Sequence, residues 1–257
     1  MKDLWKSGGT GIGLWCVMRD PIILEMAGRA GYDYITVDMQ HGFNDWSTVT
    51  TTLRILRNLP VTVLVRVAAN RDELIFRALD LGADGVIIPL VESADDARRA
   101  VAACRYPART PGALGGTRSY GPMWADLDAP GDTDKTGAGV ICVVQIETAR
   151  GLDNVDEIVA TPGVDAAYVG PYDLALSTGL GGRTYRDSDE MRERIQRVMD
   201  AANNANIVAG MHCDGPEMAA FWQEHGARMI TGGLDTTLLF GAYTDRAAAV
   251  RSAITAV

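Results

Sequence analysis

The chain predicts one α/β domain folded as a closed (β/α)8 barrel. Three observations carry that expectation: eight apolar runs alternate with amphipathic stretches, a shared glycine punctuation introduces four of the runs, and 257 residues suit a single barrel. The candidate strands are 11–17, 33–38, 61–67, 84–90, 141–147, 165–170, 207–212 and 227–231. They are rich in Val and Ile and almost continuously apolar, as parallel strands covered on both faces are. Helical patterns fall at 71–81, 93–104 and 188–205, and Ser93 and Ser188 stand where N-caps belong, each followed by acidic residues. AGYDY, LGADG, PGVDA and HGARM each read as a helix-ending Gly leading directly into a strand. Five of the seven intervals between strand starts run 20–28 residues, one βα unit each. An open doubly wound sheet is the alternative, but nearly every run is apolar throughout and none reads as an amphipathic edge, which favours closure. The domain spans 1–257, with loop insertions at 106–139 and 171–187. In a barrel, both insertions fall on the face where chemistry is done.

Composition narrows the function classes. Lys+Arg number 24 against 33 Asp+Glu, a net charge of −9 with no basic cluster, so nucleic acid and anionic membranes are poor partners. Cys16, Cys104, Cys142 and Cys213 are scattered without framework or metal spacing, which fits a reduced, cytoplasmic chain. The first residues carry no continuous apolar segment and no cleavage pattern, and no run of 18 apolar residues occurs. Small-molecule chemistry is the remaining expectation.

Polar residues gather where a barrel does its chemistry, at the C-terminal ends of the strands. Asp38-Met39-Gln40-His41 follows the second run and Arg66 ends the third. Gln145 and Glu147 end the fifth, Gly170-Pro171-Tyr172-Asp173 follows the sixth, and His212 ends the seventh. Each residue also has a plain structural use. Glu147 and Asp173 sit where helices begin and serve equally well as caps; together, on adjacent strands, they suit a hard divalent cation. Arg66 in an apolar run needs a polar mouth or a carboxylate partner. Asp80, at a helix end that disfavours an anion, fits either a local salt bridge or a partnership with His41. His212 reads as a satisfied buried histidine, and His225 as a cation at a helix C-terminus; neither joins the candidate set.

Common catalytic motifs are missing. The glycines of GGTGIG precede a strand, whereas a dinucleotide fingerprint follows one, so an organic nucleotide cofactor has no support. Lys2, Lys6 and Lys135 all lie away from the strand ends, where a Schiff-base lysine would stand. Metal is the electron sink that remains.

VDMQHG (37–42), VRV (65–67), ALDLGADGVIIPLVES (78–93), QIET (145–148), GPYDLALSTG (170–179) and LDTTLL (234–239) resemble, in order along the chain, the class II metal-dependent pyruvate aldolases. That family is typified by 4-hydroxy-2-oxoheptane-1,7-dioate aldolase and includes 2-keto-3-deoxy sugar acid aldolases. The resemblance implies a barrel of the phosphoenolpyruvate/pyruvate type and a homo-oligomer, a trimer of dimers that exchanges its last helix. Glu147 and Asp173 match the metal ligands, for Mg²⁺ or Mn²⁺ with Co²⁺ a further candidate and no organic cofactor. Arg66 matches the arginine at the keto or enolate oxygen, His41 the acid/base histidine, Asp80 its aspartate partner, and Gln145 a glutamine of the pyruvate site. Backbone around Gly170, Pro171, Tyr172 and Asp173 would bind the substrate carboxylate. Gln40 replaces the family's common acidic residue, and the stretch between Tyr106 and Gly121 is longer than usual; both bear on the aldehyde.

The implied reaction is reversible cleavage of a 4-hydroxy-2-oxo acid into pyruvate, or a close 2-oxo acid, and an aldehyde, through a metal-stabilised enolate. Oxaloacetate decarboxylation, which reaches the same enolate, is the expected side activity. The alternatives are a citrate-lyase-like or malyl-CoA-type lyase and a catalytically silent small-molecule-binding barrel.

Overall fold

The computed structural model describes residues 1–105, 112, 114, 139–182 and 185–255, so most of the 106–139 insertion lies outside the described residues. Eight parallel strands close into a barrel in sequence order. They are β1 Gly11–Cys16, β2 Tyr34–Asp38, β3 Thr62–Arg66, β4 Gly85–Ile88, β5 Ile141–Ile146, β6 Ala166–Val169, β7 Val208–His212 and β8 Met229–Leu234. The first seven lie inside the runs read from the sequence. The eighth extends three residues past its run, because Gly232 and Gly233 carry the strand on through a register shift to Leu234, without an apolar signal.

The described helices are α1 Lys2–Lys6, α2 Pro21–Arg29, α3 Trp46–Leu56, α4 Asp72–Asp80, α5 Ala94–Cys104, α6 Ala149–Asp153, α7 Val155–Val159, α8 Pro171–Ser177, α9 Asp189–Asn204, α10 Pro216–Glu224 and α11 Asp235–Thr255. The Ser93 and Ser188 hydroxyls cap α5 and α9 by accepting from the N–H groups of Asp96 and Met191. The 171–187 segment is not loop alone, since its first seven residues form α8. Among the described residues no helix is long and apolar enough to cross a membrane. All four cysteines are buried and none forms a disulfide.

The repeated glycine punctuation has a physical cause. Gly31, Gly82, Gly163 and Gly226 adopt φ between 94° and 101°, a region that side chains with a Cβ avoid. Two residues on, Asp33, Asp84 and Asp165 accept hydrogen bonds from Ile12, Val63 and Cys142 of the neighbouring strands. These carboxylates pin the strand starts together. At the fourth repeat Arg228 takes the position and bonds instead to α1: its guanidinium donates to the Trp5 carbonyl, and the Trp5 indole donates to the Arg228 carbonyl.

Strand alternation divides the core in two. One set, including Leu14, Ile35, Val65, Val86, Val144, Val169 and Met211, faces the helices. The other, including Trp15, Tyr34, Leu64, Ile87, Val143, Tyr168 and Met229, fills the barrel. Trp5 belongs to this inner set and closes the N-terminal end, with only 6% of its surface exposed. Trp5→Ala should therefore lower the free energy of unfolding by about 3 kcal/mol, the lower end for deleting a buried large aromatic. Chemical denaturation would measure this, and an unchanged midpoint would show that the plug adds nothing to barrel stability.

Candidate active site

The same alternation carries polar side chains into the barrel at its C-terminal end. Asp38, Arg66, Gln145 and His212 continue the inward rows of β2, β3, β5 and β7, and they line a cavity of about 370 Å³ with Trp15, Tyr168, His41 and Asp173. Asp38 and Arg66 are register partners across β2 and β3. Arg66 Nε and Nη2 donate to the two Asp38 oxygens at 2.9 and 2.5 Å, a bidentate pair that is almost wholly buried. The Trp15 indole N–H also reaches Asp38, and its ring lies 4.8 Å beneath the Arg66 guanidinium. Burial works against the Asp38 charge, but the hydrogen bonds and charge of Arg66, with the Gln40 N–H and the Trp15 indole, hold its pKa below the ordinary carboxylate value.

Asp38 also shapes the loop that carries His41. Its Oδ1 accepts from the backbone N–H groups of Gln40 and His41, an Asx-type turn. Asn44 donates to the carbonyls of Cys16 and Asp38 and so ties the ends of β1 and β2 together. Gly42 permits the tight return, since a Cβ there would sit 2.3 Å from the Asp38 carbonyl oxygen. His41 is thereby held at the exposed rim of the cavity.

Two strands round the barrel from Arg66, Glu147 continues the inward row of β5 just beyond the strand. Its Oε1 accepts from the Leu90 N–H at 2.8 Å and its Oε2 from Gln145 Nε2 at 2.6 Å. Leu90 donates from a left-handed conformation with φ 54°, a strained geometry for a residue with a branched side chain. Asp173, in the first turn of α8, lies within hydrogen-bonding reach of Glu147. Burial is the main cause that raises the Glu147 pKa to about 7, and the neighbouring Asp173 adds to it; the Leu90 N–H and the Arg66 charge oppose the rise. Gly170 leaves this corner open, because a Cβ would stand 2.7 Å from Gln145 Nε2 and 2.9 Å from Glu147 Oε2. The buried Gln145 Oε1 has no protein partner.

The structure thus brings His41, Arg66, Gln145, Glu147, Gly170, Pro171, Tyr172 and Asp173 to one mouth. Asp80 does not join them. It is the last residue of α4, which runs back from the mouth for nine residues, about 13 Å at 1.5 Å each. Within one chain, Asp80 therefore lies toward the N-terminal end of the barrel, close in sequence to Asp84 at the start of β4, and not beside that chain's His41. The carboxylate nearest the His41 backbone is Asp38, which the sequence showed at a strand end without marking it as a site residue. Trp15, Tyr168 and Leu90 gave no sequence signal, since each lies in an apolar run. His212 was visible at a strand end but read as core.

A family model described as HpcH/HpaI aldolase/citrate lyase matches residues 11–242. The chain belongs to that family. Membership makes it an enzyme of the carbon–carbon lyase class. It is 37% identical to a hydroxypyruvate/pyruvate aldolase of Paraburkholderia phytofirmans, over 98% of this chain and 97% of the relative. A 4-hydroxy-2-oxo-heptane-1,7-dioate aldolase of Salmonella dublin is 31% identical over 93% of this chain and 89% of the relative. Among solved structures, an HpcH/HpaI aldolase/citrate lyase family protein from Burkholderia cenocepacia superposes with a TM-score of 0.86 at 35% identity, covering 95% of each chain.

The raised Glu147 pKa has a consequence for this HpcH/HpaI member that can be measured. The folded chain holds the Glu147 proton more tightly than the unfolded chain does, so this group's contribution to stability falls as pH rises from about 4.5 to about 7. In chelator-treated protein, Glu147→Gln should gain in Tm on the wild type between about pH 5 and about pH 8. Parallel pH–Tm curves for the two proteins would show that ionising Glu147 does not strain the site.

Proposed function

We propose that this enzyme is a divalent-metal-dependent aldolase that reversibly cleaves a 4-hydroxy-2-oxo acid into pyruvate, or a close 2-oxo acid, and an aldehyde through a metal-stabilised enolate. The observation that carries the reading is the convergence, at one mouth, of the Glu147–Asp173 carboxylate pair with an arginine locked in place by Asp38. The two relatives named above, both more than 30% identical and both named as aldolases, support it.

The carboxylate pair fits a hard divalent cation. It offers oxygen donors only, its two acids lie close enough for one to retain a proton near neutral pH, and Gly170 keeps the space beside them clear. Among the described residues no third His, Cys, Asp or Glu completes a cluster, which leaves the remaining positions to substrate and water. Glu147 and Asp173 would hold Mg²⁺ or Mn²⁺, with Co²⁺ a further candidate, and a bound ion would supply Lewis-acid stabilisation of enolate charge.

The protein's own groups do the rest. Arg66 spends Nε and one Nη2 hydrogen on Asp38, so Nη1 and the other Nη2 hydrogen remain for the keto oxygen that becomes the enolate. Because Asp38 and the Trp15 ring fix the fork, Arg66 need not reorganise as charge develops. Gln145 orients Glu147 through Nε2. The substrate carboxylate lies against the first turn of α8, at Gly170 to Asp173. His41, at the open rim, moves the proton to and from the 4-hydroxyl or aldehyde oxygen.

The reading includes a cytoplasmic homo-oligomer, a trimer of dimers that exchanges α11. In support, that 21-residue helix is exposed along almost all its length and carries Phe240, Tyr243 and Ile254 at 65–71% exposure.

Two measurements test the chemistry. EDTA should abolish aldol cleavage, and Mg²⁺ or Mn²⁺ should restore it; full turnover in verified metal-free protein would sink the mechanism. His41→Ala should lose cleavage at least about 10²-fold more than oxaloacetate decarboxylation, the lower figure for a general acid–base group. Decarboxylation reaches the same enolate without a 4-hydroxyl, so equal losses would place His41 in enolate formation instead.

A further inference from the structure

The seventh strand ends at His212, a histidine that the mechanism above leaves idle. It lines the cavity edge-on to Trp15, with ring centroids 5.6 Å apart and planes at 79°. Its Nδ1 lies 3.5 Å from the Tyr168 hydroxyl. That hydroxyl gives its own hydrogen to Thr231 Oγ1 at 2.6 Å, so toward the imidazole it can only accept. Thr231 is held from the other side by the Tyr34 hydroxyl at 3.0 Å. The two rings pack over glycines: a Cβ at Gly13 would strike the Tyr34 ring, and one at Gly210 the Tyr168 ring. An imidazole that donates to this hydroxyl carries its proton on Nδ1, which makes Nε2 the acceptor. Burial is the main cause that keeps the ring neutral, lowering its pKa to about 4; the Arg66 charge acts the same way, against Asp214 and Asp38.

If the oxygens of the 2-oxo acid face Arg66, Glu147 and Asp173, C3 faces the wall formed by Trp15, Tyr168, His212 and Leu234. On that wall the Tyr168 hydroxyl is committed to Thr231, and Trp15 and Leu234 turn apolar surface to the cavity. A methyl group at C3 would leave the Nε2 acceptor desolvated and unpaired, whereas a hydroxymethyl group would satisfy it. We propose that His212 selects the 2-oxo acid, its Nε2 accepting a hydrogen bond from a C3 hydroxyl, so that the site favours hydroxypyruvate-like donors over pyruvate. This rests on the aldolase reading above and deepens it.

The test compares C3 hydrogen exchange of 3-hydroxypyruvate and of pyruvate in D₂O with Mg²⁺, by proton NMR. His212→Leu should lower the ratio of kcat/KM for hydroxypyruvate to that for pyruvate at least about tenfold, the worth of one hydrogen bond at a buried group. His212→Gln, which returns an acceptor, should recover part of the loss. Tyr168→Phe, which frees the tautomer, should lower the ratio in the same direction but less. In ¹⁵N-histidine spectra of the wild type, His212 should be protonated at Nδ1, and hydroxypyruvate but not pyruvate should shift its Nε2. Donor ratios within about twofold of wild type in both His212→Leu and Tyr168→Phe would overturn the proposal. So would an Nε2-protonated ring, a result that stands even if His212→Leu fails to fold. A wild type that exchanges neither donor would instead overturn the aldolase reading.

Discussion

At the mouth of this barrel, a guanidinium and a carboxylate from adjacent strands are buried against each other. Bringing either charge alone out of water would cost several kcal/mol, and removing one partner of such a pair typically costs ~3–5 kcal/mol. The Asp38–Arg66 pair tolerates burial because almost every lone pair of the acid is used: two bonds from Arg66, one from the Trp15 indole and two from the β2 loop. Those same bonds set the geometry of the site. They fix the fork of Arg66, hold Trp15 against it and wind the chain so that His41 stands at the rim. An arginine at this position is therefore an element of both register and chemistry.

Beside this pair, Glu147 shows how environment separates like residues. Asp38 is pulled below the usual carboxylate range by a cation at bonding distance. Glu147 is pushed to about 7 by burial beside a second acid, although it too accepts two hydrogen bonds. The difference lies in the partner: a charged fork pays for Asp38, while Glu147 receives only an amide and a backbone N–H. One mouth thus holds a carboxylate kept ionised by a cation and a second whose charge burial disfavours.

The fold was legible in the sequence because closure and burial on both faces leave a coarse signature. Eight continuous apolar runs and four glycines before strand starts are hard to satisfy in another topology, and each glycine proved to occupy a positive φ. Candidate site residues were legible where charge interrupts that pattern, as at Arg66 and Glu147. Asp80 was read at a helix end without its place in the barrel, because proximity to a helix end says nothing about which end of the barrel the helix has reached. Trp15 and Tyr168 stayed hidden for the opposite reason: aromatic rings in an apolar strand look like packing, and only their inward parity and a polar atom at the ring edge give them a second use. Leu90 was invisible in principle, since its contribution is a backbone N–H in a strained turn.

The two ends of the barrel divide their labour by the same alternation. At the N-terminal end, Asp33, Asp84 and Asp165 each bond to a neighbouring strand and Trp5 seals the axis, so polar atoms there close on one another. At the C-terminal end, the inward rows terminate in groups that are incompletely paired, Gln145 Oε1 and a Glu147–Asp173 corner kept open by a glycine. Unpaired buried polarity is costly in a folded chain and persists where a ligand completes it. Such polarity would be a defect at the plugged end; at the open end, it is what lets a small, polar, oxygen-rich substrate replace the solvent.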